Sequence, residues 1–187
     1  MSQIHRHGQD LLQFNVAQLL KERTEASRKF EIKDAFVEVA DLGLAPVAPI
    51  SGSVRLVKVA SDVLVTGTLH TILQMPCTRC LEPVNVPVTI ELEETFIPIT
   101  DVATGMHRTL PDDVDDATLI DEAHVIDLTE VVRQELFVSQ PVHVLCREDC
   151  LGLCPQCGHN LNFGPCSCNT SDIDSRWSAL LALKDDL

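Results

Sequence analysis

Cys146-Arg147-Glu148-Asp149-Cys150-Leu151-Gly152-Leu153-Cys154-Pro155-Gln156-Cys157-Gly158, followed shortly by Cys166-Ser167-Cys168, gathers six of the eight cysteines of this 187-residue chain into one short run. The other two, Cys77 and Cys80, stand far upstream. All eight therefore fall into four close couples: Cys77/Cys80, Cys146/Cys150, Cys154/Cys157 and Cys166/Cys168. Two thiolates a few residues apart, with the chain turning between them, can reach one tetrahedral ion at a Zn–S distance of about 2.3 Å, so each couple supplies half a site. Four couples make two four-cysteine zinc sites. Gly158 sits just past a second ligand, where a positive φ lets backbone N–H groups point at the thiolate.

Spacing leaves the pairing of couples open. One arrangement joins Cys154/Cys157 with Cys166/Cys168 and Cys77/Cys80 with Cys146/Cys150, stapling a central hairpin to the C-terminal module. The other joins Cys146/Cys150 with Cys154/Cys157 and leaves Cys77/Cys80 to Cys166/Cys168. The first is preferred, because the short link from Cys150 to Cys154 is stiff while the stretch from Cys157 to Cys166 loops back easily. Free reduced thiols, or disulfides in an exported protein, are the competing readings, and four tight couples weigh against both. Closed four-cysteine sites have no open position for substrate, so their expected role is to hold the fold together. The count already fills two sites without His159. Of the other histidines, at 5, 7, 70, 107, 124 and 143, only His5 and His7 stand close together, on the N-terminal stretch.

Outward from the cysteines the chain reads as α+β: an antiparallel β-rich domain with a few helices, over 1–141, and a Cys-rich zinc module with a C-terminal helix, over 142–187. Alternation in Val54-Arg55-Leu56-Val57-Lys58-Val59 and in Thr89-Ile90-Glu91-Leu92-Glu93-Glu94 marks half-solvated strands. Strands are expected over Ala35–Val39, Val54–Val59, Val63–Leu73 and Val84–Ile97, with a hairpin turn at Ser61-Asp62. Asp10 to Leu20 mixes strand and helix signals, and Lys21 to Lys29 reads as a charged connector. Cys77-Thr78-Arg79-Cys80 falls at a hairpin tip between Pro76 and Pro83. Residues 100–122, rich in aspartate, read as a solvated acidic loop lacking the glycine and bidentate glutamate of a calcium loop. A helix is expected over 127–139, with Asp127 as N-cap, Glu130 closing a capping box, and Leu128, Val131, Val132 and Leu136 on one face. A second starts near Ser171 and carries Ile173, Trp177, Leu180 and Leu181, with Trp177 as a packing anchor.

With 14 basic residues against 28 acidic ones, the formal net charge is −14. The protein as a whole is then repelled by nucleic-acid phosphates and anionic lipid, which points to protein partners. No apolar run approaches the roughly 18 residues needed to span a bilayer, so a cytoplasmic location and no membrane partner are expected. None of the seven histidines is followed two positions on by glutamate, which excludes the zinc-deaminase signature that Pro76-Cys77-x-x-Cys80 otherwise suggests. There is no phosphate loop, no Gly-x-Ser-x-Gly elbow and no His-Glu-x-x-His helix. No enzyme activity and no small-molecule substrate are expected.

Cys77, Arg79, Cys80, Leu81 and Glu82 at the tip resemble the YceD-like family. So do Asp127 and Leu128, and, in the tail, Cys146, Cys150, Gly152, Leu153, Cys154, Pro155, Cys157, Gly158, Asn160, Leu161, Asn162, Cys166 and Cys168, with Ile173, Asp174 and Arg176 beyond. The likeness covers about residues 10 to 183, and Ser175 departs from the proline expected before Arg176. Members of that family are associated with accumulation of large-subunit ribosomal RNA, so the resemblance implies a non-enzymatic factor whose partner is a ribosomal large-subunit protein or assembly factor. Two other classes stay in view. In a direct RNA-binding zinc module, Arg79, Arg147 and Arg176 would form a basic face for ribosomal RNA. A thiol redox protein would use Cys77/Cys80, although Pro83 and the following strand offer no helix N-terminus to activate a thiolate.

Overall fold

The computed structural model describes residues 12–111 and 113–168. The helix expected from Ser171, with Trp177, and Arg176 lie outside the described residues, as do His5 and His7. The chain forms an α+β fold whose described elements run β1 (Gln13–Asn15), α1 (Ala17–Lys21), β2 (Ser27–Ala35), β3 (Ile50–Val59), β4 (Asp62–Pro76), β5 (Pro83–Pro98), β6 (Leu119–Ile120), β7 (Val125–Asp127) and α2 (Thr129–Val138). Two compact units emerge. One is built from the chain up to Met75 together with Asn85–Val142; the other joins Pro76–Val84 to the chain from His143. The sequence division at 141/142 leaves Cys77/Cys80 with the β-rich domain, whereas here the tip belongs to the cysteine-rich unit.

In the first unit a five-stranded sheet has the order β2-β3-β4-β5-β6, and β1 pairs with β7. Alternation does its expected work in β3 and β4: Val54, Leu56, Val63, Val65, Leu69 and Leu73 are all buried, while Arg55 and His70 face solvent. The two strands run antiparallel from Ser51↔His70 to Val59↔Asp62. Their turn is Ala60-Ser61, one residue earlier than the sequence indicates, with Ala60 at φ 54°. β2 is a correction: it occupies Ser27–Ala35, not Ala35–Val39, and takes in part of the supposed charged connector. An edge strand wetted on most sides can carry Arg28, Lys29, Glu31 and Lys33, which also blunt the edge against pairing with other chains.

Residues 100–122 are more ordered than their aspartates suggest. The Asp101 carboxylate accepts from Ala103 N, Thr104 N and Thr104 Oγ1, which holds its pKa below the usual carboxylate range, chiefly through the Thr104 backbone N–H. Asp115 caps the 3-10 turn Asp116–Thr118, and β6 then lies parallel to β5 at Ile97 and Pro98, with Ile120 fully buried. Aspartates here close local turns, a use that composition cannot separate from a solvated run.

Helix α2 buries Leu128, Val131, Val132 and Leu136, the face expected. Its cap differs. Leu128 is the N-cap residue, and Asp127 Oδ1 accepts from Thr129 N at 2.8 Å. Glu130 turns away from any capping box to hold Arg133 Nε at 2.8 Å. Close approach of β3 and β4 depends on glycine, since a Cβ on Gly67 would stand 2.5 Å from the Ser53 carbonyl oxygen and 2.9 Å from Val54 Cα. Gly67→Ala should therefore lower the stability of the β-rich unit by about 2 kcal/mol, read as a smaller denaturant midpoint with the m-value unchanged.

Candidate metal centre

The cysteine-rich unit is built on two knuckles of the same local design. In the first, Leu81 N donates back to Cys77 O at 2.9 Å; in the second, Gly158 N donates to Cys154 O, also at 2.9 Å. Both turns need a left-handed residue directly after the second cysteine, Leu81 at φ 63° and Gly158 at φ 72°. Glycine adopts that conformation without penalty, whereas a leucine held there stores strain of about 1 kcal/mol or more. The first knuckle is fixed by Cys77 N to Glu82 O and Thr78 N to Val144 O, each 2.8 Å.

Around these turns the eight sulfurs assemble into two groups, Cys77/Cys80/Cys146/Cys150 and Cys154/Cys157/Cys166/Cys168, each with its four Sγ atoms within 4.8 Å of one another. This is the preferred of the two pairings considered from the sequence. In the first group Cys77 Sγ lies 3.9 Å from Cys150 Sγ, and Cys80 Sγ 3.6 Å from Cys146 Sγ. Four sulfurs at about 2.3 Å from a common tetrahedral centre are about 3.8 Å apart, whereas a disulfide needs about 2.05 Å. The spacing fits shared coordination and no disulfide is formed. Cys77, Cys80 and Cys150 are buried, while Cys157 is exposed and Cys166 and Cys168 are half-buried. The second group is thus the more open to solvent.

Each group polarises its own thiols. Burial pushes Cys77 up, but backbone N–H groups of Cys80, Arg79 and Cys146 outweigh it and bring the thiol down to about 6. The N–H groups of Cys157 and Gln156 do the same for Cys154, also to about 6. Burial, and then hydrogen bonds from Cys150, Cys80 and Cys77, push Cys146 up to about 12, and contact with Cys157 first, then burial, raises Cys168 likewise to about 12. Hydrogen bonds that favour the thiolate form at Cys77 and Cys154 suit each group to a cation, and a bound metal would displace the protons of the remaining thiols.

The three arginines singled out in the sequence have different fates. Arg79 donates to Cys150 O at 3.0 Å, and Arg147 donates to Asn162 Oδ1 at 2.7 Å and lies 3.3 Å from Asp149. Both are spent on the module itself, and Arg176 lies outside the described residues. Among the described residues this unit carries only Arg79 and Arg147 as cations, against Glu82, Glu148 and Asp149. Among the described residues no basic face forms there. His159 is not a ligand: its Nε2 pairs with Gly164 O at 3.2 Å, and both groups consist of cysteine alone. Sequence reasoning gave no role to Asn160 and Asn162 beyond resemblance, and no spacing rule finds them. Asn162 Nδ2 donates to Cys150 Sγ at 3.3 Å, the largest cause holding that thiol below its ordinary value.

Protons and metal compete for the same sulfurs, so acid should expel the metal and alkali tighten it. Metal affinity at either group should rise about tenfold or more per pH unit between pH 5 and 8, read by chelator competition; an affinity flat across that range would exclude thiolate coordination.

No helix among the described residues is long and apolar enough to cross a membrane. The chain is 35% identical over 159 residues to an uncharacterized protein of Mycobacterium tuberculosis, covering 82% of this chain and 73% of that one. It is 30% identical over 133 residues to YlbN of Bacillus subtilis, covering 69% of each. It is 24% identical over 161 residues to a chloroplastic protein of Arabidopsis thaliana named large ribosomal RNA subunit accumulation protein YCED homolog 1, covering 74% of this chain and 50% of that one. No solved structure matches. The family model described as large ribosomal RNA subunit accumulation protein YceD matches residues 65–184, from near the start of β4 through both cysteine groups, and the chain belongs to that family.

Proposed function

We propose that this protein is a non-enzymatic, cytoplasmic factor that supports accumulation of large-subunit ribosomal RNA through contact with a ribosomal large-subunit protein or an assembly factor, on a module pinned by two zinc ions. The ribosomal part of this reading is supported by the family and by the name of the Arabidopsis relative. The observation that carries the mechanistic part is that both metal groups are made of four cysteines with no further donor. Cys77, Cys80, Cys146 and Cys150 would hold one ion and Cys154, Cys157, Cys166 and Cys168 the other. A four-thiolate tetrahedral set selects zinc or iron, and a redox-inert zinc suits a site with no open position. Zinc in such a site supplies rigidity, neutralising thiolates that otherwise repel one another.

Two observations weigh against the rival classes. Arg79 and Arg147 are engaged within the module, and a formal charge of −14 disfavours phosphate contact, so direct RNA binding draws no support from them. The Cys77/Cys80 pair sits at a turn and shares its group with Cys146 and Cys150, which supports metal coordination over a role as a redox dithiol.

Depletion of the protein in its own organism should lower the ratio of large- to small-subunit ribosomal RNA several-fold, restored by the wild-type chain and not by Cys77→Ser/Cys150→Ser. An unchanged ratio on depletion would overturn the ribosomal role; full rescue by the double variant would overturn the zinc-pinned surface while leaving that role standing.

A further inference from the structure

Between the two cysteine groups runs a short ladder. Cys154 N donates to His159 O at 2.8 Å and Leu161 N to Gly152 O at 2.9 Å, Leu153 and Asn160 form an antiparallel bridge, and Leu151 N donates to Asn162 Oδ1 at 2.9 Å. One end of the ladder is Cys150, a ligand of the first group. The other is the Cys154–Gly158 knuckle, which carries two ligands of the second.

Asn162 closes the ladder at the Cys150 end with all four of its hydrogen-bonding positions filled. Its Nδ2 donates to Cys150 Sγ at 3.3 Å and to Asn160 Oδ1 at 2.8 Å. Its Oδ1 accepts from Leu151 N and from Arg147 at 2.7 Å. Asn160 is itself anchored, with Oδ1 accepting from Asn162 N at 3.1 Å and Nδ2 donating to Glu82 Oε1 at 3.3 Å. The amide that meets the Cys150 sulfur is therefore placed by the same strand of chain that follows the second knuckle. An N–H donated to a ligand sulfur draws off negative charge from a four-thiolate site and fixes the direction of its lone pairs.

We infer that Asn162 is a positioning residue that couples the two metal sites: closure of the Cys154/Cys157/Cys166/Cys168 site sets the Asn160–Asn162 strand, and Asn162 then raises the metal affinity of the Cys77/Cys80/Cys146/Cys150 site. Metal loading is cooperative in that direction, and by thermodynamic reciprocity occupancy of the first site tightens the second by the same factor. The inference rests on the zinc reading above, and its test separates the two.

Asn162→Asp is the discriminating variant. The carboxylate keeps the acceptor contacts to Leu151 N and Arg147; it loses both N–H bonds, to the Cys150 sulfur and to Asn160 Oδ1, and brings a negative charge to the sulfur, so the isolated second site serves as the control for a merely structural effect. Full-length wild type, N162D, Cys154→Ser/Cys157→Ser and the combination are titrated with cobalt(II) and then zinc against a chelator, reading the first site. Cys77→Ser/Cys80→Ser with and without N162D reads the second. N162D should weaken the first site about ten- to a hundredfold and move its sulfur-to-cobalt band to longer wavelength, leaving the isolated second site within twofold. Loss of the second site should weaken the first by a similar factor, and the combination should add little. An unchanged first site in N162D, additive losses, or an equal loss from N162D at the isolated second site in the Cys77→Ser/Cys80→Ser background would overturn the inference while two bound metals in the wild type leave the zinc reading intact. A wild type that binds no metal would sink both.

Discussion

Four sulfurs cannot crowd within 4.8 Å of one another and carry charge unless something positive stands between them, and the described residues of the cysteine-rich unit offer little else to hold it closed. Among these described residues the buried cluster is Cys77, Cys80 and Cys150, with Val84 and Leu153 packed against them, and Val144 and Cys154 are buried besides. That is far less apolar burial than the continuous core of the β-rich unit, which runs from Leu12 to Leu136. A core of that size cannot offset the chain entropy of the described segments, which is the general reason small modules rely on metals or disulfides. Apparent binding free energies of about 10 kcal/mol or more for structural zinc are the right order to close that gap.

Much of the architecture follows from putting ligands where the chain can turn. The tip is the connection between β4 and β5, and its two cysteines sit at a turn closed by Leu81 N to Cys77 O. Tail ligands come instead from loops with almost no regular structure, stitched by backbone bonds such as Gly158 N to Cys154 O and by asparagine amides. Polar side chains that another protein would present outward are turned inward here: Arg79 to a carbonyl, Asn162 to a sulfur. Among the described residues both arginines of the module, Arg79 and Arg147, are spent internally.

The cysteine couples were legible because a metal needs four donors in a small volume, and short spacings report that need directly. Alternation likewise marked β3, β4 and β5, since each buries one face. β2 was not legible: at a sheet edge its charges are tolerated, so Ser27–Ala35 lacks the pattern that a half-buried strand shows. Nor was β6, two residues long, whose place depends on a distant strand. Asp127 was rightly seen near a helix start but bonds one position early, and Glu130 prefers Arg133, a choice between two nearby partners that sequence does not rank. The pairing of couples needed three-dimensional placement, because it depends on Cys80 and Cys146 meeting across a long stretch of chain, whereas the Asn160–Asn162 ladder is local but follows no spacing rule.

The measurement that bears most directly on this account is the metal content of the purified full-length chain, with thiols titrated before and after a strong chelator. Two zinc ions per chain, eight thiols protected in the loaded protein and all eight reactive once the metal is stripped would be the predicted result. A chain that keeps its fold with no bound metal and freely reactive thiols would contradict it.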